Sequence, residues 1–500
     1  MGNFAVSSGH HLTTEAAAEV LRAGGTAVDA AIAGALMSAI AEPVLSSPLA
    51  GGFMMVAPAS GKARLLDAFV QTPKRKRTDT DLREIEVDFG ETRQIFHCGA
   101  GTIATPGLIP GLFEAHKRFG RIPMPELAAP AIAAAREGVA MTAFQAEVLG
   151  YVEPIFRASP ESEALYTASG RLLGAGDTLR NPEMADVLEV MAIEGARFIQ
   201  EGEVAQALLS LEGSHLGADD LKAYRPVWRD PLQVTRRGVE VDLNPSPSLG
   251  GVQIALALQA LPDNPDDTLL AQCLYEIARI RKSRDLDHHP AEGAAILLDP
   301  QTVSSLRKTL RDHQAATRGT THISVIGSDG TGVALTHSNG EGCGLLVPGT
   351  GIMANNMLGE DDLVPDGPDS WHEDTRLASM MCPMALRREG ELTMLGSGGS
   401  NRIRSALAQV ALGLTDRNER LEQAITAPRL HVETDTAQVL DFEDTGSGER
   451  RESLLAAFPD ANAWPQARMF FGGVHAARRT AKGGFEAAGD PRRSGHTLTG

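Results

Sequence analysis

The run Arg318-Gly319-Thr320-Thr321-His322 carries the residue types that self-cleavage requires. A threonine directly after a glycine, at the start of a strand, can have its peptide bond held in a strained geometry that a larger residue would resist. Attack of the Thr320 hydroxyl on the Gly319 carbonyl, followed by hydrolysis of the ester, would leave Thr320 with a free α-amine. The reference pKa of that amine, about 7.7 to 8.0, suits a general base near neutral pH. Thr320 would then supply both nucleophile and base.

The same run also fits an ordinary hairpin, because threonine is a good strand residue. Residues 320–326 alternate polar and apolar, which predicts a half-buried strand. Ser328-Asp329-Gly330 predicts a turn, and residues 333–336 are predicted to form the second strand of the hairpin. On these residues alone, the structural and the catalytic interpretations both stand.

The elements that would position Thr320 begin near the N-terminus. The pattern predicts an extended run, two helices and a strand with its hairpin partner: Phe4-Ala5-Val6, a helix from near Thr13 to Gly24-Gly25, a second helix over 27–40, Phe53-Met54-Met55-Val56, and residues 62–69. The charged stretch 74–93 predicts a solvated loop or insertion. Gly-rich loops are expected to dominate between the hairpin and about residue 400.

Composition excludes several classes of function. The 500 residues are 42% hydrophobic and 22% charged, which is typical of a globular chain. The 64 acidic residues against 46 basic ones give a net charge of -18, which repels nucleic acid and anionic membrane surfaces. Neither is expected as a partner. The N-terminus lacks the basic stretch and apolar run of a secretion signal, so we expect a cytoplasmic protein.

No cofactor or metal is expected from the motifs. The sequence contains no phosphate-binding lysine loop, no H-E-x-x-H helix and no C-x-x-C pair, and its four cysteines are widely scattered. The adjacent pairs His10-His11 and His288-His289 would point in diverging directions, which disfavours chelation. The run 396–400, Gly-Ser-Gly-Gly-Ser, lacks the spacing of a dinucleotide fingerprint.

Several stretches, taken together and in order, resemble the gamma-glutamyltransferase family of N-terminal-nucleophile hydrolases. They are residues 8–16, 24–31, 106–107, 250–251, 320–325, 349–356, 379–383 and 396–402. The resemblance implies an α+β fold, a four-layer αββα sandwich. It also implies an inactive precursor that is cut into residues 1–319 and 320–500, with the two fragments associated as one domain.

The resemblance also assigns roles to individual residues. Thr320 would be the nucleophile, after cleavage between Gly319 and Thr320. Ser338, on the returning strand, would support it. The backbone N–H groups of Gly399 and Ser400 would form the oxyanion hole, by ungapped alignment around Arg402.

Substrate recognition departs from the family. Where the family holds the substrate α-carboxylate with an arginine, this sequence has Phe69, which offers no charge and no donors. A serine pair of the family is reduced to Ala378-Ser379, so Ser379 remains as a substrate-binding candidate. Met357 replaces a glutamine, and the acid expected to bind the α-amine is Glu360 or Asp361. Asn339 is a further candidate for an ammonium group, and Arg75 or Arg77 for the missing clamp.

Three hypotheses follow for the function. The first is an autoprocessed acyl transferase or amide hydrolase acting on gamma-glutamyl compounds such as glutathione, with a small-molecule amide as partner. The second is an amidohydrolase of the same family acting on another small amide, such as an oxamate-like compound, which Phe69 favours. The third is an unprocessed, silent homologue with a binding role. A homo-oligomer is possible in each case.

Overall fold

The structure, a computed structural model, describes residues 3–88, 93–309, 320–434, 440–445 and 448–500. Its strands, in chain order, are β1 Ala5–Ser8, β2 Gly51–Ala57, β3 Arg64–Ala68, β4 Arg83–Asp88, β5 Arg93–Cys98, β6 Val139–Ala140, β7 Thr167–Ala168, β8 Arg171–Leu172, β9 Thr178–Leu179, β10 Val227–Arg229, β11 Leu232–Arg236, β12 Val239–Leu243, β13 Thr321–Ile326, β14 Gly332–Ser338, β15 Leu346–Val347, β16 Ile352–Met353, β17 Met384–Arg388, β18 Glu391–Gly398, β19 Leu430–Val432, β20 Leu440–Glu443, β21 Asn462–Trp464, β22 Gly473–Arg479, β23 Phe485–Ala488 and β24 His496–Thr499.

The helices are α1 His11–Arg22, α2 Ala27–Ala41, α3 Leu108–Phe119, α4 Met124–Glu137, α5 Ala143–Tyr151, α6 Glu153–Phe156, α7 Pro160–Tyr166, α8 Pro182–Glu194, α9 Arg197–Gln200, α10 Glu203–Leu209, α11 Ala218–Ala223, α12 Leu249–Ala260, α13 Asp267–Ser283, α14 Gly293–Leu297, α15 Pro300–Thr309, α16 Arg402–Thr415, α17 Leu421–Thr426 and α18 Gly448–Ala457. Among the described residues, no helix is both long and apolar enough to cross a bilayer.

Two antiparallel sheets form the centre of the molecule. The first has seven strands in the order β10-β3-β2-β14-β13-β1-β24, and the second has six in the order β11-β12-β17-β18-β22-β23. Strands β13 and β14 contact β18 of the second sheet, so the sheets stack face to face. Helices α1 to α4 pack on the outer side of the first sheet, and α12 and α16 pack on the second. The predicted αββα sandwich is confirmed.

Helix α2 shows how the sequence builds the outer layer. The side chain of Thr26 caps its N-terminus by accepting from the Asp29 N–H at 3.0 Å, and the Asp29 carboxylate accepts from the Thr26 N–H in return. All of its residues are buried, because α1 and α4 cover the faces that the sheet does not. The predicted helix over 27–40 is therefore present, with its C-terminal end at Ala41.

Three local predictions need correction. The stretch 74–93 is predicted to be a solvated loop or insertion, but it is not wholly solvated: it includes β4, which pairs with β5 as a hairpin whose Val87 and Phe96 are buried in one cluster with Val44 and Leu45. Charged residues alternate with these apolar ones, so the composition hides the strand pattern. The Gly-rich region before residue 400 contains β17 and β18, two strands of the second sheet.

Strand β13 is buried on both faces rather than half-buried. His322 and Ser324 lie on the face toward the second sheet and are hydrogen-bonded there: the two ring nitrogens of His322 hydrogen-bond Thr336 Oγ1 at 2.7 Å and Ser324 Oγ at 2.8 Å. An alternating strand normally presents its polar face to solvent. Here the second sheet covers that face, and side-chain hydrogen bonds offset the burial of the polar groups.

Candidate active site

Thr320 lies directly before β13 and is only 3% exposed. Its carbonyl oxygen accepts a hydrogen bond from Arg493 Nη1 at 3.3 Å. Strand β18 passes so close that a Cβ on Gly398 would lie 1.8 Å from the same oxygen, which requires glycine there. The Thr320 carbonyl is thus held by a guanidinium on one side and by a strand of the other sheet. Gly319, the residue before the predicted cut, lies outside the described residues.

Thr320 lines a cavity of about 380 Å³, a volume that includes the open space at its mouth. The lining residues come from the end of β14, from loops next to both sheets and from the first turn of α16: Phe69, Thr320, Ser338, Gly340, Met357, Glu360, Asp362, Leu363, Ser379, Met380, Met381, Ser400 and Ile403. The cavity therefore brings together five of the residues that the sequence proposed for the site, from segments far apart in the chain.

Ser338 lies across the sheet from Thr320. Strands β13 and β14 pair antiparallel with Thr321 opposite His337, and continuing this register by one residue sets Ser338 opposite Thr320. Its hydroxyl accepts a hydrogen bond from the Gly340 N–H at 3.0 Å, which orients its oxygen. A hydroxyl beside a nucleophile can share or pass on its proton.

Gly399 and Ser400 form the turn between β18 and α16. Both have positive φ, +121° and +46°, and for Ser400 this left-handed conformation is strained. The turn precedes the N-terminus of the 14-residue helix α16, whose dipole favours negative charge nearby. Ser400 lines the cavity, whereas a Cβ on Gly399 would face Gly472 at 2.8 Å.

Asp362, for which the sequence predicted no role, holds this turn. Its carboxylate accepts hydrogen bonds from the Ser400 hydroxyl and from Asn401 Nδ2, the latter at 2.8 Å. These bonds offset the strain at Ser400. The available signal was the pair of aspartates that directly follows Glu360, because the second of them reaches the cavity.

Of the two acids named from the sequence, Glu360 lines the cavity and is buried. The Asp361 side chain is 54% exposed and lies 3.8 Å from His97 Nδ1, away from the cavity lining. The loop before them is held by the β4–β5 hairpin, since the His97 carbonyl accepts from Asn356 Nδ2 at 3.3 Å. The hairpin thus positions the acidic end of the pocket.

Asn339 does not line the cavity. It is fully buried, and its Nδ2 donates to the carbonyls of Met353 and Ala354 at 3.4 Å each. Its backbone N–H donates to the Leu45 carbonyl at 3.3 Å. The structure gives Asn339 a role in joining loops, whereas the sequence proposed it as a substrate contact. The reason is that its neighbour Ser338 points to the cavity, so the next side chain along the strand points away.

Ser379 lines the cavity through a tightly held loop. Its hydroxyl accepts from the Met381 N–H at 3.0 Å, and its carbonyl accepts from Ser248 Oγ at 2.8 Å. Met380 and Met381 line the cavity beside it. These two methionines belong to the stretch 379–383 that carries the family resemblance, but no role was predicted for them, because their place in the wall depends on where the loop folds back.

Phe69 occupies the cavity wall where the family is expected to have its arginine. Its ring stacks on Phe53 with 5.3 Å between centroids. Its carbonyl accepts from Tyr224 Oη at 2.6 Å and from Arg376 Nη1 at 2.9 Å. Arg376 also contacts Asp67 at 3.1 Å, so this guanidinium binds the backbone behind Phe69 and does not line the cavity.

Arg75 and Arg77, the proposed substitutes for the clamp, are both exposed and are not among the lining residues. The Arg77 guanidinium donates to the Ser214 carbonyl at 3.2 Å. Among the described residues that line the cavity, none is basic, while two, Glu360 and Asp362, are acidic. Apart from four hydroxyl residues, the rest of the wall is largely apolar, so the lining offers an acidic corner and no basic side chain to pair with a carboxylate.

Histidines buried around the site stay neutral near pH 7. Burial lowers the pKa of His337 and of His475 to about 4, and it lowers the pKa of His322 well below its usual value. None of these rings has a pKa suited to general-base work near neutral pH. In the described part of the chain, no group of three or more histidine, cysteine or acidic side chains could hold a metal ion.

Comparisons with known proteins agree with this architecture. The sequence model of the family described as gamma-glutamyltranspeptidase matches residues 13–500. Acylase ACY 1 proenzyme of Pseudomonas sp. strain V22 is 28% identical over 484 residues, covering 90% of this chain and 86% of its own. Glutathione hydrolase proenzyme of Pseudomonas aeruginosa is 28% identical over 478 residues, covering 85% and 82%. The crystal structure of cephalosporin acylase from Bacillus halodurans superposes with a TM-score of 0.82 at 22% identity, covering 99% of this chain and 96% of that one.

Proposed function

The chain belongs to the gamma-glutamyltranspeptidase family and is an enzyme of the N-terminal-nucleophile type, and on that premise we propose that Thr320 is its nucleophile, exposed as a new N-terminus by self-cleavage. The enzyme would be an amide hydrolase or acyl transferase. The observation that carries the proposal is that Thr320, Ser338 and Ser400 line one cavity although they lie on three separate segments.

In the proposed reaction, the Thr320 hydroxyl attacks the carbonyl carbon of a substrate amide while its α-amine takes the hydroxyl proton. The tetrahedral oxyanion is stabilised by the N–H groups of the Gly399–Ser400 turn and by the N-terminal end of α16. The C–N bond breaks, the leaving amine receives the proton, and an ester to Thr320 remains. Water or an acceptor amine then releases the acyl group and restores the hydroxyl.

For the substrate, the cavity favours an acyl group that is apolar along its length and ends in a neutral or amine-bearing group. Phe69, Met357 and Leu363 are part of a largely apolar wall. Glu360 supplies a carboxylate that could pair with an ammonium. A carboxylate at the same end would meet two acids and no described basic residue of the lining, which disfavours it by charge alone.

Gamma-glutamyl compounds are the second candidate, because the family match spans nearly the whole chain and a relative is named glutathione hydrolase. A gamma-glutamyl group ends in both an ammonium and a carboxylate. Glu360 could hold the first, but Phe69 stands in place of the expected clamp for the second.

Comparing two anilide substrates with the same leaving group tests the proposal. We expect the wild-type enzyme to turn over an amine-terminated acyl anilide with a higher kcat/KM than the gamma-glutamyl anilide. Phe69→Arg is expected to raise activity on the gamma-glutamyl anilide selectively, and Phe53→Leu, behind Phe69, is the control for disturbed packing. A wild-type enzyme that prefers the gamma-glutamyl anilide would reverse the order of the two candidates.

Thr320 variants test the nucleophile itself. Thr320→Ala should leave the chain uncut and inactive on every anilide, while Thr320→Ser should keep part of both activities because it retains a hydroxyl. A wild-type chain that stays whole and turns over no amide would support the silent homologue instead.

A further inference from the structure

A buried carboxylate lies behind the proposed nucleophile and takes no part in the cavity. Glu42 follows the last residue of α2 and is 1% exposed. One of its oxygens accepts from Thr321 Oγ1 at 2.7 Å, and the other accepts from Thr13 Oγ1 at 3.0 Å. It therefore ties the residue directly after Thr320 to helices α1 and α2. Burying a carboxylate costs free energy of folding, so the position of Glu42 calls for a functional explanation.

The backbone around Glu42 is shaped to admit it. A Cβ on Gly9 would lie 3.0 Å from a Glu42 carboxylate oxygen and 3.4 Å from Thr321 Oγ1. The chain between β1 and α1 thus closes over the carboxylate. The fold therefore keeps the Glu42 carboxylate buried.

Arg493 holds the same peptide from the other side. It is buried, and its Nη1 donates to the Thr320 carbonyl at 3.3 Å. Its second terminal nitrogen donates to the Met469 carbonyl at 3.4 Å. Glu42 holds the side chain of residue 321, and Arg493 holds the carbonyl of residue 320. Two opposite charges therefore fix the one peptide unit that follows the proposed nucleophile.

The charges of the two groups depend on each other. Burial raises the pKa of Glu42 to about 7, against the opposing effects of Thr321, Thr13 and Arg493. Burial lowers the pKa of Arg493 to about 10. Two nearby histidines stay neutral between pH 5 and 9, since burial lowers the pKa of His475 to about 4 and that of His10 to about 3. Asp490 and Arg429, which are paired with each other, also act on Arg493 by their charges. In this range, Glu42 is the member of the group that changes charge.

We propose that Glu42 and Arg493 act as positioning residues that clamp the Thr320–Thr321 peptide and set the rate at which the Thr320 hydroxyl attacks the Gly319 carbonyl. The inference rests on the proposed function. Ionised Glu42 compensates the charge of Arg493 and accepts from Thr321, so both contacts persist. Protonated Glu42 loses the charge, which weakens the hydrogen bond that it accepts from Thr321.

The step that the clamp serves is the first of maturation. The Thr320 oxygen forms a bond to the Gly319 carbonyl carbon, the Gly319–Thr320 C–N bond breaks, and the proton of the hydroxyl ends on the departing nitrogen. Water then cleaves the ester, giving the Gly319 carboxylate and a free Thr320 hydroxyl and amine. This reaction needs no added substrate, and the uncut chain has no α-amine at Thr320 to titrate, so its pH dependence reports on the clamp.

The test follows self-cleavage of the full-length precursor, made by pulse-labelled cell-free synthesis, on denaturing gels from pH 5.5 to 8.5. For the wild type, we expect the rate to rise with a midpoint near pH 7 as Glu42 loses its proton. Glu42→Gln should cleave about tenfold or more slowly at pH 8, with little pH dependence, because a hydrogen bond to a charged group is lost. Thr321→Val should move the midpoint to higher pH, because a bond that lowers the Glu42 pKa is removed.

The matched control is Asp29→Asn, which removes another buried carboxylate from the opposite end of α2. It should lower the thermal midpoint but leave the pH midpoint of cleavage in place. If Glu42→Gln does not fold, as judged by circular dichroism, Thr321→Val still tests the clamp with Glu42 present. If the wild type cleaves at Thr320, and Glu42→Gln and Thr321→Val cleave at the same rate and with the same pH midpoint, the clamp is wrong but the proposed nucleophile stands. A wild-type precursor that never cleaves would overturn the proposed nucleophile and the clamp together.

Discussion

The Ser400 backbone has a conformation that serine rarely adopts, and Asp362 is the residue that stabilises it. With φ at +46°, this residue carries strain on the order of 1 to 2 kcal/mol. Hydrogen bonds from Ser400 and Asn401 to one carboxylate offset that strain. The N–H groups of the turn are then fixed before substrate arrives, which is what an oxyanion hole requires.

We therefore expect Asp362→Asn to lower kcat about tenfold or more with little change in KM, because the turn would be less well held in the transition state. The anilide identified in the substrate comparison provides the assay. Asp361→Asn is the matched control, since its neighbouring carboxylate is half exposed and lies away from the cavity lining. Equal losses in the two variants would contradict a specific role for Asp362.

Individual residues show which parts of the candidate site could be predicted from the sequence and which could not. Thr320, Ser338 and Ser400 were predictable because a linear motif carries each of them. Asn339, which is predicted to contact an ammonium group, is not among the residues that line the cavity, and its Nδ2 donates to the Met353 carbonyl. No role was predicted for Asp362, Met380 or Met381, because their positions in the cavity wall arise only when loops distant in sequence meet there.

Strand β18 is the element that places the Gly399–Ser400 turn, the proposed oxyanion hole, next to Thr320, the proposed nucleophile. It lies against β13 of the other sheet, and it ends at Gly398, directly before the turn. The sequence suggested a loop here because glycines are frequent. Those glycines instead allow close packing between the sheets: a Cβ on Gly396 would lie 2.3 Å from the His322 ring, and one on Gly398 would lie 1.8 Å from the Thr320 carbonyl.

Gly398→Ala should consequently displace Thr320 or β18, with a cost of about 1 to 3 kcal/mol or more in unfolding free energy, and should leave most of the chain uncut. Thermal unfolding and denaturing gels measure the two effects. Gly150→Ala is the control, because a Cβ there meets no atom within 4 Å. Normal cleavage in Gly398→Ala would mean that the spacing between the strands is not critical.

Across the whole molecule, the two predicted fragments are interleaved. Strands β13 and β14 lie between β1 and β2 in the first sheet, and β17 joins β12 to β18 in the second. Neither 1–319 nor 320–500 can complete a sheet alone. The family resemblance predicted the layers, whereas local helix and strand patterns could not predict the strand order, which depends on pairings between residues hundreds of positions apart.

A cut at Thr320 should therefore leave the fragments together. We expect two bands on a denaturing gel but one peak of unchanged size in gel filtration, and one cooperative thermal transition. Separation of the fragments without denaturant would contradict the interleaved sheets.

Mass spectrometry of the intact purified protein tests the central claim most directly. The account predicts two masses whose smaller member corresponds to residues 320–500 with Thr320 as its first residue. A catalytically active preparation that contains only the uncut chain of 52.9 kDa would contradict it.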